Sequence, residues 1–262
     1  MLDKNTLTNH IKDVELKNKI YKVIDKSIGV LKNYDYRYTE FLNPYELKNA
    51  IAALNAIDDI SYSVYGGYEK AERKLVYIYP FYVNEEDLNK PIKVIKISGN
   101  FKFRKVSHRD YLGSLLGLGI KREKIGDILI HENFCQVVVC EDICDYIILN
   151  LDKVGSNKVS IEEIELSQII YSEPEYKEVN FTAASDRLDT IISGIYNISR
   201  QESSNYINSE KVFVDYEKIT SVSKSVKENC IISVRGLGRA IVSQIGDYTK
   251  KGRLKVKAKI II

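Results

Sequence analysis

The chain has 262 residues, 44% of them hydrophobic, which is enough to bury two or three modest cores. Its longest apolar runs, Tyr146 to Leu151 and Ile260 to Ile262, fall far short of the roughly 20 residues needed to cross a bilayer. Charged residues at Asp3, Lys4, Lys12 and Asp13 interrupt the apolar stretch that a secretory signal requires, so the expectation is a protein with no membrane contact that stays in the cytoplasm.

The net charge of +3 conceals an asymmetry. From Ala183 onward there are 14 Lys and Arg against 8 Asp and Glu, a net +6, whereas the preceding 182 residues carry 25 against 28, or −3. The tail third is therefore the part suited to a polyanion.

Residues 1–72 read as helical. Ile11, Val14, Leu16, Ile20, Val23, Ile24, Ile28 and Leu31 recur at three- and four-residue steps, as an amphipathic helix requires. Asn43 before Pro44 signals a second helix start, with Leu47, Ile51 and Leu54 as its apolar stripe. From 73 to 172 the pattern changes. Leu75–Tyr79, Ile92–Ile97 and Phe134–Val139 are short, rich in β-branched and aromatic residues, and predict strands, with helices over His108–Leu118 and Glu141–Leu151. That order suggests a small α+β sheet domain. The acidic, Pro-containing segment from Glu173 to Glu178 has no periodicity and reads as a linker.

A third domain is expected over 183–262. Ser185 is placed to cap a helix in which Leu188, Ile191, Ile192 and Ile195 share one face, and Ser199-Arg200-Gln201-Glu202 fits a capping box for a second. Strands are predicted over Val212–Tyr216, Ile231–Arg235, Ala240–Ile245 and Leu254–Ile261. In the last, Lys255, Lys257 and Lys259 alternate with Val256, Ala258 and Ile260, which places the lysines on one face. That stripe either protects an edge strand or extends a phosphate track.

Little in the sequence points to catalysis, and no cofactor or metal is expected. Cys135, Cys140, Cys144 and Cys230 include no C-x-x-C pair and read as buried thiols. His10, His108 and His131 lack ligand spacing. Asp142 with Asp145, and Glu162 with Glu163, read as solvated helix faces. Gly113, Gly117 and Gly119 lack the Gly-Lys-Ser/Thr ending of a nucleotide loop, so close helix packing is the preferred reading.

Two resemblances stand beside these patterns. Arg187-Leu188-Asp189, then Ser199-Arg200-Gln201-Glu202-Ser203, then Lys211-Val212-Phe213-Val214 and Ile232-Ser233-Val234-Arg235-Gly236 resemble the RNA-binding domain named after ribosomal protein S4, with its two-helix αL motif. The resemblance implies that Arg187, Arg200 and Lys211 contact phosphate, with Arg235 and Arg239 beside them. Where the S4 pattern has glycine before its first strand this chain has Glu210, and the later Gly-Asp turn is Asn229-Cys230. Upstream, Phe41-Leu42-Asn43-Pro44, Tyr65 to Arg73, and His108 to Gly113 resemble the bacterial YlmH family. That likeness implies a helical N-terminal region, an RRM-like α+β middle domain and a C-terminal S4-like domain. It also implies binding to rRNA of the large ribosomal subunit, rescue of stalled ribosomes carrying peptidyl-tRNA, and a genetic link to cell division.

The candidate RNA-binding residues are thus Arg187, Arg200, Lys211, Arg235, Arg239, Lys255, Lys257 and Lys259, expected to converge on one surface. A second basic cluster, Lys102, Arg104, Lys105, His108 and Arg109, is interleaved with Phe101 and Phe103; stacking on unpaired bases competes there with plain core packing. The expected partners are RNA and the large subunit, with no small-molecule substrate and a monomeric chain. An RNA-modifying enzyme of the pseudouridine synthase or rRNA methyltransferase type, docking substrate through the S4-like module, is the alternative. In that class the module usually precedes the catalytic domain, whereas here it comes last. Both Arg187 and Arg200 are expected at the surface, replaceable without loss of fold.

Overall fold

The computed structural model describes residues 3–101 and 106–262. It has a mixed α+β architecture that divides into two compact units, the first ending at Ser172 and the second running from Glu173 to Ile262. Among the described residues, no helix is long and apolar enough to cross a membrane.

In the first unit, α1 (Lys4–Thr8) leads into α2 (Val14–Asn33). Most of the predicted stripe is buried, with Leu16, Ile20, Val23 and Ile24 facing inward and Ile28 and Leu31 partly so; Val14, at the first position of the helix, is exposed, and Val30, which the stripe did not include, is buried. The Asp13 side chain accepts from the Leu16 N–H at the start of α2, and Tyr34 ends it in the left-handed region at φ 56°. After β1 (Arg37–Tyr38), Asn43 and Pro44 begin α3 (Pro44–Leu54) as expected. The Asn43 N–H donates to the Glu46 carboxylate, completing a capping box.

The stretch to residue 72 is not wholly helical, because β2 (Ile60–Tyr65) pairs with β3 (Leu75–Pro80) in a sheet of order β1-β3-β2. Residues 75–79 therefore belong with this sheet and not with the one downstream. The reason is burial on both faces. Val76 and Ile78 pack with α2 and α3, while Leu75, Tyr77 and Tyr79 pack against Val138 and Cys140 of a second sheet. A strand buried on both faces carries no alternation to reveal its neighbours.

The second sheet follows as β4 (Ile92–Gly99), α4 (His108–Gly117), β5 (Ile125–Ile130), β6 (Phe134–Cys140), α5 (Cys144–Asn150), β7 (Lys153–Val154) and β8 (Asn157–Ile164), with order β5-β6-β4-β8-β7. Tyr111, Leu115 and Ile147 of the helices cover Ile95, Ile97, Val137 and Val139 on one face. Glu162 and Glu163 lie on β8 and not on a helix. Their carboxylates meet Lys96 at 3.0 Å and Lys93 at 2.8 Å on the adjacent β4, so cross-strand charge pairing explains their position. Close packing also fails for Gly113 and Gly117, because a Cβ at either would meet nothing within 4 Å. All four cysteines are buried free thiols, and burial pushes Cys140 up to about 12 and Cys230 up to about 11.

In the second unit the second half of the expected linker, Tyr176 to Glu178, is strand. β9 (Tyr176–Ala183) pairs along its whole length with β14 (Leu254–Ile261), and Glu178 sits opposite Lys259. Between them come α6 (Leu188–Tyr196), α7 (Arg200–Asn208), β10 (Val212–Val214), β11 (Glu217–Lys218), β12 (Ile231–Val234) and β13 (Gly238–Tyr248). The sheet is antiparallel, in order β11-β10-β12-β13-β14-β9. Leu188, Ile191, Ile192, Ile195 and Ile207 of the helices bury its inner face, formed by Val212, Val234, Ala240, Val242, Val256 and Ala258. Gly194 makes that approach possible, since a Cβ there would stand 2.1 Å from the Phe181 ring.

Candidate nucleic-acid interface

Helix entry positions the first two candidate arginines. Arg187, and not Ser185, is the cap residue of α6. The Leu188 and Asp189 N–H groups donate to the Lys224 and Val222 carbonyls, so a neighbouring loop satisfies the helix end in place of a side chain. At α7 the Ser199 hydroxyl accepts from the Glu202 N–H at 3.1 Å, while no return bond from Glu202 is found among the described residues, so only half of the expected capping box forms.

Between these helix starts lies Asp189, a residue the sequence reading passed over. Its side chain is 5% exposed, and both arginines converge on it. Arg187 donates through Nε at 3.1 Å and through a terminal nitrogen at 3.3 Å, and Arg200 donates at 2.7 Å. The Thr190 N–H adds a further bond at 2.9 Å. Burial by itself pushes the Asp189 carboxyl up, and the two guanidinium groups together overcome it and hold it below the ordinary carboxylate range. The guanidinium side chains remain 40% and 56% exposed. One carboxylate against two cations leaves a net positive charge on two fixed forks, each with N–H donors to spare. The only available signal in the sequence was the Asp itself, inside an otherwise apolar helical stripe.

The remaining candidates occupy other ground. Lys211 is exposed, with its ammonium 5.9 Å from the Tyr206 ring centre. It follows Glu210, which adopts the left-handed conformation at φ 57°, as Asn229 does at φ 62°. On the sheet face away from the helices, Arg235 lies 5.1 Å from the Phe213 ring centre and Arg239 5.4 Å from that of Tyr216. Lys255, Lys257 and Lys259 share this outer face, while Val256 and Ala258 are buried on the inner one. The eight residues therefore fall into separate groups: Arg187 and Arg200 at the helix entries, Lys211 between α7 and β10 beside Tyr206, and Arg235, Arg239 and the three lysines on the outer sheet face. The single surface expected from sequence divides because the helices cover the other side of the sheet.

In the first unit Phe101 is a core residue, meeting Tyr111 edge-on at 6.2 Å between ring centres. Lys102, Phe103, Arg104 and Lys105 lie outside the described residues. His108 and Arg109 are exposed in the first turn of α4, where Ser107 and Asp110 form a capping box. The sheet face opposite α4 and α5 is partly covered by β3, through Tyr77 and Tyr79 on Val138. Its open part is a groove of about 560 Å³ lined by Lys96, Phe134, Gln136, Glu162 and Gln168 among others, where Lys96 is already paired with Glu162. Among the described residues no cluster of His, Cys, Asp or Glu could hold a metal ion.

The family model for the N-terminal region of YlmH matches residues 15–83, and a second, described as "Putative RNA-binding domain in YlmH", matches residues 84–168. The "Ribosome-associated protein quality control protein P2" of Bacillus subtilis (strain 168) is 32% identical over 227 residues, covering 87% of this chain and 88% of that protein. The chain belongs to the YlmH family. A solved structure, "Cell division protein ylmH from Streptococcus pneumoniae", aligns with a TM-score of 0.51 at 27% identity, over 61% of this chain and 96% of that one. Two of the stretches that carry the YlmH likeness do structural work. Asp127 of β5 accepts from the Tyr68 hydroxyl at 2.8 Å and from the Glu72 and Arg73 N–H groups at 2.7 and 3.0 Å. Arg73 in turn donates to the Ile125 and Phe41 carbonyls, tying the loop after β2 to the second sheet. Both YlmH models end before the second unit, so the arginine pair and the lysine stripe lie outside the region they match.

Proposed function

We propose that this YlmH-family chain is a cytoplasmic, monomeric RNA-binding protein of the large ribosomal subunit, acting by binding and not by catalysis. Its role is in the rescue or quality control of stalled ribosomes that carry peptidyl-tRNA. The observation that carries the reading is Asp189 holding two guanidinium forks at consecutive helix entries. A purely stabilising ion pair needs one cation for one buried carboxylate. A second arginine adds surplus charge in a rigid bidentate donor, the geometry suited to phosphate. Two short helices over a small antiparallel sheet support an S4-like domain with Arg187, Arg200 and Lys211 as phosphate contacts. In the middle region the β-α-β-β-α-β succession supports the RRM-like assignment, as does the sheet order β5-β6-β4-β8. The name of the Bacillus subtilis relative supports ribosome quality control as the setting, and that of the pneumococcal structure supports a link to cell division.

Sedimentation tests the proposal. Mixed with purified ribosomes in low salt, the protein is expected to travel with large subunits and to leave them as salt rises. Protein that stays at the top of the gradient refutes ribosome binding. Incubation with rRNA and a labelled methyl donor, followed by an assay for uridine isomerisation, is expected to yield no product; stoichiometric product would replace the binding role with an enzymatic one.

A further inference from the structure

The two groups of cations in the second unit differ in what surrounds them. Around Asp189 the arginines are fixed by a carboxylate and have no aromatic contact among the described residues. On the outer sheet face the pattern is a cation over a ring. Register places Lys218, Phe213, Ser233 and Arg239 in one row across β11, β10, β12 and β13, with Arg235 lying over Phe213 from the end of β12. Arg235 is exposed, so its guanidinium, 5.1 Å from the Phe213 ring centre, is open to water away from the ring. A planar cation in that position takes an unpaired base as the next layer of the stack.

The lysines continue the same face. Lys257 is flanked in register by Gln244 and Asn180, and Lys255 by Gly246 and Thr182, so neither has an acidic cross-strand neighbour. Lys259 differs, because its ammonium is 4.0 Å from Glu178 and 5.8 Å from the Tyr176 ring centre. Lys255 and Lys257 are thus the cations of β14 with no acidic side chain opposite them in register. Alternate residues on a strand stand about 6.6 Å apart; the run along β14 from the level of Arg239 to Lys255 is roughly 20 Å, and the three strand spacings from β10 to β14 add about 14 Å across the sheet, so the two ends are roughly 25 Å apart. An extended oligonucleotide of a few residues fits that length, whereas the rigid backbone of a duplex would bridge between cations and bring no base to Arg235.

We infer that the outer sheet face, with Arg235 on Phe213 at one end and Lys255 and Lys257 at the other, binds an unpaired RNA strand, separately from the Arg187–Asp189–Arg200 group. This rests on the RNA-binding reading and adds to it the form of RNA taken by this face. Arg235 stacks on a base, and the two lysines take successive phosphates.

The test uses the full chain and two fluorescent RNAs in anisotropy titrations: a short unstructured CA-repeat oligoribonucleotide and a stable stem-loop. Arg235→Lys keeps the charge and loses the plane. It is expected to weaken CA-repeat binding about tenfold, the scale of one lost stack, with the salt dependence unchanged. Lys255→Gln combined with Lys257→Gln should flatten the slope of log affinity against log salt by about 1.4, from about 0.7 per single-strand phosphate contact. Neither change is expected to move stem-loop binding. All three positions are exposed, and an unchanged melt confirms that the variants fold. If the stem-loop binds while the CA-repeat does not, or if the variants weaken both RNAs equally, the inference is overturned and the RNA-binding reading stands. If neither RNA binds, both fall.

Discussion

Removing Arg187 and Arg200 together tests the arrangement at the helix entries, and the expected result differs from what surface arginines suggest. With both replaced by alanine, the Asp189 carboxylate keeps its bond from the Thr190 N–H but has no cation in a site where its side chain is 5% exposed. Stranding a buried charge costs about 3–5 kcal/mol, and the surviving bond places Asp189 at the lower end, about 3 kcal/mol. For a unit of this size that corresponds to a fall in melting temperature of roughly 15 °C. Differential scanning calorimetry measures the fall, and hydrogen exchange over residues 188–208 locates it. Adding Asp189→Asn to the double variant removes the stranded charge and is expected to recover most of the loss. The pH dependence has a definite sign. Asp189 is held below its ordinary value, so its contribution to native stability is complete above the unfolded carboxylate pKa of about 3.9 and disappears as pH falls through the lower folded value. The gap between native and double-variant melting should therefore be widest near neutrality and close in acid. A double variant that melts within a few degrees of the native chain at neutral pH, with no gain from Asp189→Asn, refutes the reasoning.

Three further substitutions probe the backbone and the packing. Glu210→Gly should raise the melting temperature, because it relieves a left-handed non-glycine residue at φ 57° worth about 1 kcal/mol, while the lost 3.0 Å pair with Lys218 is exposed and contributes little. Gly194→Ala should destabilise the second unit by about 2 kcal/mol in chemical denaturation, since the new methyl would collide with the Phe181 ring; a neutral result would mean that α6 has room to shift. Gly113→Ala should instead stabilise α4 by about 0.5–1 kcal/mol in the same assay, because its Cβ enters open space in a helix interior; a loss would restore the close-packing reading.

Local signals and long-range contacts account for what was and was not legible in the chain. The stripe of α2, the Asn43–Pro44 start of α3, the apolar face of α6 and the alternation of lysines on β14 were all readable from the sequence. Each depends on residues a few positions apart, and helical or strand periodicity turns that spacing into a face. Family membership was readable too, because the stretches that carry it are contiguous. Partner choice was not. β3 joined the N-terminal sheet because both of its faces are covered, and β9 took in the end of the acidic stretch because β14 supplies its hydrogen bonds and a lysine opposite Glu178. The same holds for the cations. Composition determined that the C-terminal third would be basic, but only the folded chain decided that the helices would lie over one face of the sheet. That packing separates the arginines around Asp189 from the lysines outside, since two helices burying their apolar stripes on a sheet leave its other face to water.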